Sequence, residues 1–328
     1  MHFFVSILIF LFILFFYIHL QYQFKTSNDL EIYELDYTTN KQLQEICHLK
    51  QPTIFQIDLF KDVEPFFRAI STEIYDTDVI VKDIRDYYKP NITSVDGISL
   101  SYSSAKGLME TDPKGHFFSE NLGIVREMPV FSKMDSYLAN PWILQKKYDL
   151  LFGSKNVHTP LKFHTDTSRF LIITGGFITI KMTPWNNRKH LEIKYDYENY
   201  EFWSPVDIWN NNSIKCLEFE VKDGFAIYIP PYWLYSIEFT SCSNISVASF
   251  TYSTGMNIVS NLPNYALYFL QQNNIRDLKH VKTIISSSKE KEEDPLEEDH
   301  VVIPDKKDEV IQEMLAVITP TEKQNGME

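Results

Sequence analysis

The sequence predicts a mainly β domain of the sandwich or barrel type, with flanking helices, behind an apolar N-terminal helix. Three observations predict it. Short apolar runs recur around Ile172, over Phe177–Met182, Leu217–Val221, Phe225–Ile229 and Ile245–Tyr252, broken by Gly175-Gly176 and Asp223-Gly224. No helical segments alternate with them as a parallel sheet would need. Phe3 to Leu20 carry no formal charge. Apolar residues make up 44 % and aromatics 15 % against 23 % charged, a balance that supports a sizeable core.

The segment Phe3–Leu20 would span about 27 Å as a helix, close to the hydrocarbon thickness of a bilayer. A cleaved secretory signal would carry a basic start and a small-residue cleavage site. No Lys or Arg precedes Lys25 and no Ala or Gly precedes Ala69, so residues 1–24 read as an uncleaved single-pass transmembrane anchor. Tyr17 and Tyr22 suit the interface, and Lys25 favours a cytosolic domain. Asn91-Ile-Thr, Asn211-Asn-Ser and Asn244-Ile-Ser match glycosylation acceptors but do not fix the side, because such triplets arise by chance in an Asn-rich chain.

Residues 25–149 form the first part of the domain: a helix near Lys41–His48, an extended segment from Pro52, helical spacing near Val63–Ile74 and a β-branched strand at Val79–Val81. Residues 150–256 hold the β core, where Asp223-Gly224 reads as a hairpin turn. In residues 257–285, Tyr265–Gln272 and Ile275–Ile285 have helical spacing. The tail, 286–328, is solvated and acidic; its Asp308–Ile318 stretch has amphipathic spacing suited to a protein partner.

Net charge is −13, yet residues 289–328 hold 13 acids against 5 bases, so most of the acidity belongs to the tail. The remainder has no Lys/Arg cluster, which speaks against nucleic acid as a partner. Cys47, Cys216 and Cys242 are odd in number and widely spaced, which excludes a disulfide framework and a CxxC zinc site.

Two segments carry possible chemistry: Thr159-Pro-Leu-Lys-Phe-His-Thr-Asp166 and Ile229-Pro-Pro-Tyr-Trp-Leu-Tyr-Ser-Ile237. In an extended strand His164 and Asp166 share a face. They would supply two of the three donors of a 2-His-1-carboxylate iron site. The same pair also reads as a structural His–Asp hydrogen bond or as surface residues without a role.

The run from Leu151 to Asp166 resembles the entry to the core of cupin-like, JmjC-related proteins, whose usual form ends in TPLHxD. Asp223 to Ile237 resembles that family's second signature, a glycine turn followed by PPxWxH. Gln51-Pro-Thr-Ile-Phe and Ser119-Glu-Asn-Leu also fit, so the likeness covers roughly residues 40–275. The resemblance implies a double-stranded β-helix (jelly roll) and, in active members, Fe(II) and 2-oxoglutarate-dependent oxygenase chemistry. Single-anchor relatives of this kind occur among large DNA viruses.

The departures from the family matter more. Its distal histidine falls on Tyr235, a poor Fe(II) ligand while neutral, and the basic residue that pairs 2-oxoglutarate falls on Ile178. Lys181 is three positions on, an odd offset that puts it on the other strand face. Two extra residues also separate Pro160 from His164. Thr159, Ile178, Tyr232 and Trp233 are the positions where a co-substrate pocket is expected, with Tyr232 and Trp233 as pocket wall or core. His116 and His158 are alternative third donors, and Tyr195, Tyr197, Tyr200, Trp203 and Trp209 form an aromatic insertion that could cap the barrel mouth.

Three readings follow. The chain is a membrane-anchored, cupin-like homologue that has lost catalysis and serves in binding or scaffolding. Otherwise it is an active Fe(II)/2-oxoglutarate protein hydroxylase using His164 and Asp166, or a structural virion membrane protein.

Overall fold

The structure is a computed structural model and describes residues 2–57, 60, 62–66, 68, 78–122, 129–211, 213–240 and 246–274. The chain divides into two units, Met1–Arg276 and Asp277–Glu328, and the described residues all belong to the first. Cys242, the acceptor at Asn244, most of the Val63–Ile74 stretch, the expected Ile275–Ile285 helix and the acidic tail lie outside the described residues.

Helix α1, His2–Gln23, is 22 residues long, about 33 Å at 1.5 Å per residue. None of its apolar window is buried, and it is long and apolar enough to cross a membrane. Its last turn is fastened to the domain. Lys50 Nζ donates to the carbonyls of Tyr22 (2.5 Å) and Gln23 (3.3 Å), and the Tyr22 hydroxyl lies 3.1 Å from His48 Nδ1.

Helix α2 (Asn40–Cys47) starts where the Thr39 side chain accepts a hydrogen bond from the Gln42 N–H at 3.3 Å, relieving one orphan donor of the first turn. It packs with α4 (Tyr102–Glu110) and α5 (Pro129–Leu138) on one face of a nine-stranded sheet. That sheet runs β1 (Tyr33–Leu35), β2 (Thr53–Gln56), β13 (Phe225–Ile229), β8 (Ser168–Thr174), β15 (Ser246–Thr254), β6 (Ile143–Gly153), β5 (Phe117–Leu122), β3 (Asp78–Asp83) and β4 (Ile98–Ser101). The one-turn helix α3 (Ile84–Tyr87) follows β3. A six-stranded sheet runs β10 (Lys194–Asp196), β11 (Glu201–Ser204), β7 (Leu161–Phe163), β14 (Leu234–Glu238), β9 (Phe177–Thr183) and β12 (Leu217–Lys222). Helices α6 (Gly255–Ser260) and α7 (residues 262–274) follow β15.

Side-chain alternation builds the layers. On β8, Phe170 and Ile172 face the helices with Phe55, Phe250 and Tyr228, whereas Leu171 and Ile173 face the second sheet, meeting Ile178, Ile180, Trp233 and Ile237. Both faces of β8 are therefore covered, which explains its unbroken apolar run. A smaller cluster of Leu161, Phe163, Phe202 and Leu234 covers the outer face of the six-stranded sheet.

From β7 to β9 and from β12 to β15, consecutive strands alternate between the two sheets. This corrects the expected hairpin at Asp223-Gly224. The turn is there, with Gly224 at φ +80°, but β12 pairs with β9 while β13 pairs with β2 and β8. Gly175 and Gly176 (φ +87° and +78°) turn the chain in the same way between β8 and β9. Each strand already has antiparallel partners within its own sheet, so the glycines serve corners between layers.

Candidate functional site

The expectation that His164 and Asp166 lie within a strand needs correcting. Strand β7 ends at Phe163, and residues 164–167 form the corner that leads to β8. The corner is fixed through its backbone. Tyr232 N–H donates to the His164 carbonyl (3.0 Å), and Asn257 and Asn261 side-chain amides donate to the Thr165 carbonyl (2.8 and 3.1 Å).

Both side chains are buried and both line a cavity of about 320 Å³. Its walls come from β5 and β6 (Glu120, Lys147, Tyr148, Asp149), β7 (Lys162, Phe163), the head of β8 (Arg169), residues 199–202, and Tyr265 and Tyr268 of α7. Tyr200 and Tyr265 stack at 5.3 Å with their planes 5° apart, joining the aromatic insertion to α7.

His164 Nε2 lies 3.0 Å from the Ile229 carbonyl, so Nε2 carries the hydrogen and Nδ1 carries the lone pair. Nδ1 is buried and has no partner. Burial, reinforced by the Arg169 charge, pushes the His164 pKa down to about 3, so the ring is neutral at pH 7. The Asp166 carboxylate accepts from Ser253 Oγ (2.8 Å) and lies 3.5 Å from Lys147 Nζ. Burial alone would raise its pKa, but Lys147 and Arg169 outweigh burial and hold it down to about 2.

Arg169 donates from Nη1 to the Tyr235 hydroxyl at 2.6 Å and from Nε to Thr251 Oγ1 at 3.1 Å. Burial keeps the Tyr235 phenol above its usual pKa despite this cation, so it stays protonated. Beside it runs a second network. Lys162 pairs with Glu120 and lies 3.7 Å from Glu201, while Glu201 also takes Lys82 (2.5 Å) and the Tyr87 hydroxyl (2.8 Å). Burial raises the Glu201 carboxyl, yet Lys162 and Lys82 bring it well below its usual range. Cations and carboxylates of the cavity thus neutralise one another in a low-dielectric setting, where an unpaired charge would be costly.

The residues present do not fit an iron site of the 2-His-1-carboxylate type. His164 Nδ1 and Asp166 are two donors, whereas the Tyr235 hydroxyl is committed to Arg169. Among the described residues no group of three His, Cys, Asp or Glu converges to hold a metal. His116 pairs with Asp112 at 3.5 Å, and His158 sits between Tyr88 (3.3 Å), Asp207 (3.6 Å) and the Trp209 ring (5.9 Å); neither lines the cavity.

The positions expected to form a co-substrate pocket lie elsewhere. Thr159 Oγ1 accepts from the Ile237 N–H at 3.0 Å, tying the start of β7 to β14. Ile178 and Trp233 are fully buried between the sheets. Tyr232, at φ +65°, packs on Phe163, Trp185 and Phe24. Lys181 faces away, 3.2 Å from Glu218 and 4.6 Å from the Trp209 ring centre. Of the aromatic insertion, Tyr200 reaches the cavity while Trp203 belongs to the interior.

The sequence motifs point to none of the cations that line the cavity. Arg169, Lys162 and Lys147 were missed, with Glu120 and Glu201. Their signal was available: ionisable residues set in otherwise apolar strand runs, such as the arginine at the head of Phe170-Leu-Ile-Ile173. No protein-family model matches the chain, and no curated protein matches it.

Proposed function

We propose that the chain is a membrane-anchored, cupin-like protein whose β domain binds a small polar molecule and lacks oxygenase chemistry. The fold part of this reading is a double-stranded β-helix. It is supported by strand orders β13-β8-β15-β6 and β7-β14-β9-β12, in which strands close in sequence alternate between layers. The anchor is α1, with the domain on the cytosolic side.

One observation carries the binding reading: the cavity of about 320 Å³ is lined by charged side chains of both signs, among them the pairs Lys147–Asp166 and Lys162–Glu120. A ligand bearing both charges can exchange into such pairs without leaving any of them unmatched. The ligand class is therefore a small zwitterion. The test is a thermal-shift series on the full chain in lipid nanodiscs, with the free L-amino acids as probes. At least one probe should raise the melting midpoint of the wild type, and not that of Lys147→Met. No shift with any probe, or equal shifts in both proteins, would overturn the reading.

The oxygenase reading is favoured by one feature, the unpartnered Nδ1 of His164 in the same cavity as Asp166. Stoichiometric iron with coupled succinate release would put it in place of the binding reading.

A further inference from the structure

Helix α7, residues 262–274, contains no charged residue over its 13 positions. Its inward face carries Asn264, Tyr265, Tyr268 and Gln272. Tyr265 stacks on Tyr200, Asn264 accepts from the Tyr197 hydroxyl at 3.1 Å, and Gln272 donates to the Glu198 carbonyl at 2.5 Å. Its outward face presents Leu262, Phe269 and Leu270 to the surroundings, Phe269 being 65 % exposed.

This face is not isolated. Thr254, just before α6, pairs with Ile143 at the start of β6, and Tyr265 reaches Gln145 of the same strand at 3.5 Å. That strand start carries Trp142, 80 % exposed, and Leu144, 75 % exposed; Leu144 is close enough to Gly255 that a Cβ there would lie 3.1 Å from it. Helix α6 also packs beside α1. The exposed side chains of α7 and of the β6 start therefore flank α6, the helix that packs beside the anchor. Lys50 and His48 clamp that foot to the domain without a free linker. A domain clamped to a membrane-spanning helix sits at the bilayer surface, and its apolar face next to that helix meets lipid first.

We propose that α7 together with Trp142 and Leu144 forms a second membrane contact, lying in the interfacial layer of the bilayer beside α1. A charge-free helix with one apolar side and an exposed tryptophan suits that layer, and an apolar patch of this kind is unusual on a surface that faces only water. The inference rests on the reading of α1 as the anchor. It adds that the domain lies against the lipid, with the α7 wall of the cavity next to the membrane.

Tryptophan quenching in the full chain, reconstituted one copy per nanodisc, tests it. The emission of Trp142 is taken as wild type minus Trp142→Phe, with lipid brominated high on its acyl chains. The anchor is followed separately by Phe10→Trp in the Trp142→Phe background, with lipid brominated near the chain ends. The inference expects the Trp142 emission to lose most of its intensity in the shallow-brominated lipid. Quenching of the Phe10→Trp probe with an unquenched Trp142 would overturn the inference and leave the anchor standing. That holds whether iodide reaches Trp142 or a second copy or the acidic tail shields it. Failure of both probes would remove the anchor as well.

Discussion

The space between the two sheets is filled in two contrasting ways. Around Ile178, Ile180, Trp233 and Ile237 it is closed by apolar side chains in direct contact. At the β7–β8 corner the same layers enclose Lys147, Lys162, Arg169, Glu120, Asp149 and Asp166 around open volume. Tyr235 and Arg169 mark the boundary, the ring in the apolar cluster and the hydroxyl on the guanidinium. Stability alone explains the first region. It does not explain the second, because buried ion pairs are often no better than apolar residues of equal size.

The largest effect is expected at that boundary. Arg169→Ala takes from the Tyr235 hydroxyl and Thr251 Oγ1 their buried donor and from Asp166 one of its two nearby cations, and breaking a buried charge set in this way costs about 3–5 kcal/mol. Urea unfolding of the full chain checks it. Ile178→Ala in the apolar region costs about 2–5 kcal/mol through lost contacts and the cavity left behind. The two differ in pH dependence. Protonating Asp166 in acid should shrink the loss at Arg169 and leave the loss at Ile178 alone, and equal pH dependence would erase the distinction between the regions.

A smaller effect appears with pH. The His164 pKa of about 3 in the fold lies below the unfolded value near 6.5. Between these values the unfolded chain takes up a proton that the fold refuses, so stability falls as pH drops, by up to about 1.4 kcal/mol per unit. Asp166, at about 2, keeps its contribution above the unfolded value near 3.9 and loses it only as pH falls toward 2. His158 is also lowered by burial, so the wild-type slope contains both histidines. His164→Leu should flatten the fall between pH 6.5 and 4 without abolishing it, as read from urea midpoints across that range.

The smallest change in stability is expected at Lys147. Its pair with Asp166 is 3.5 Å long and the lysine is one-fifth exposed, and Arg169 and Ser253 Oγ stay beside the carboxylate, so Lys147→Met should cost less stability than Arg169→Ala. Loss of ligand response with stability retained would separate binding from folding. Loss of both would tie the polar end to structure alone.

Much of the architecture was legible because strands buried on both faces, such as β8, carry unbroken apolar runs, and glycine pairs mark their ends. What escaped was which sheet each strand joins. Asp223-Gly224 promises a tight turn but does not say that β12 and β13 separate into different layers. At the site, spacing within one segment brought His164 and Asp166 to attention. Arg169, Lys162, Glu120 and Glu201 come from four strands, and their meeting depends on register between strands distant in sequence. Ile178 and Thr159 drew attention through alignment to a motif, and both are absorbed by packing and a backbone hydrogen bond.

If the polar end binds a small molecule and does not activate oxygen, iron content and 2-oxoglutarate turnover, measured on the full chain in nanodiscs after loading with Fe(II) and exposure to air, should be negligible. Iron should stay far below one per chain and succinate should not exceed that of His164→Ala. Stoichiometric iron, with succinate release that His164→Ala abolishes, would contradict this reading.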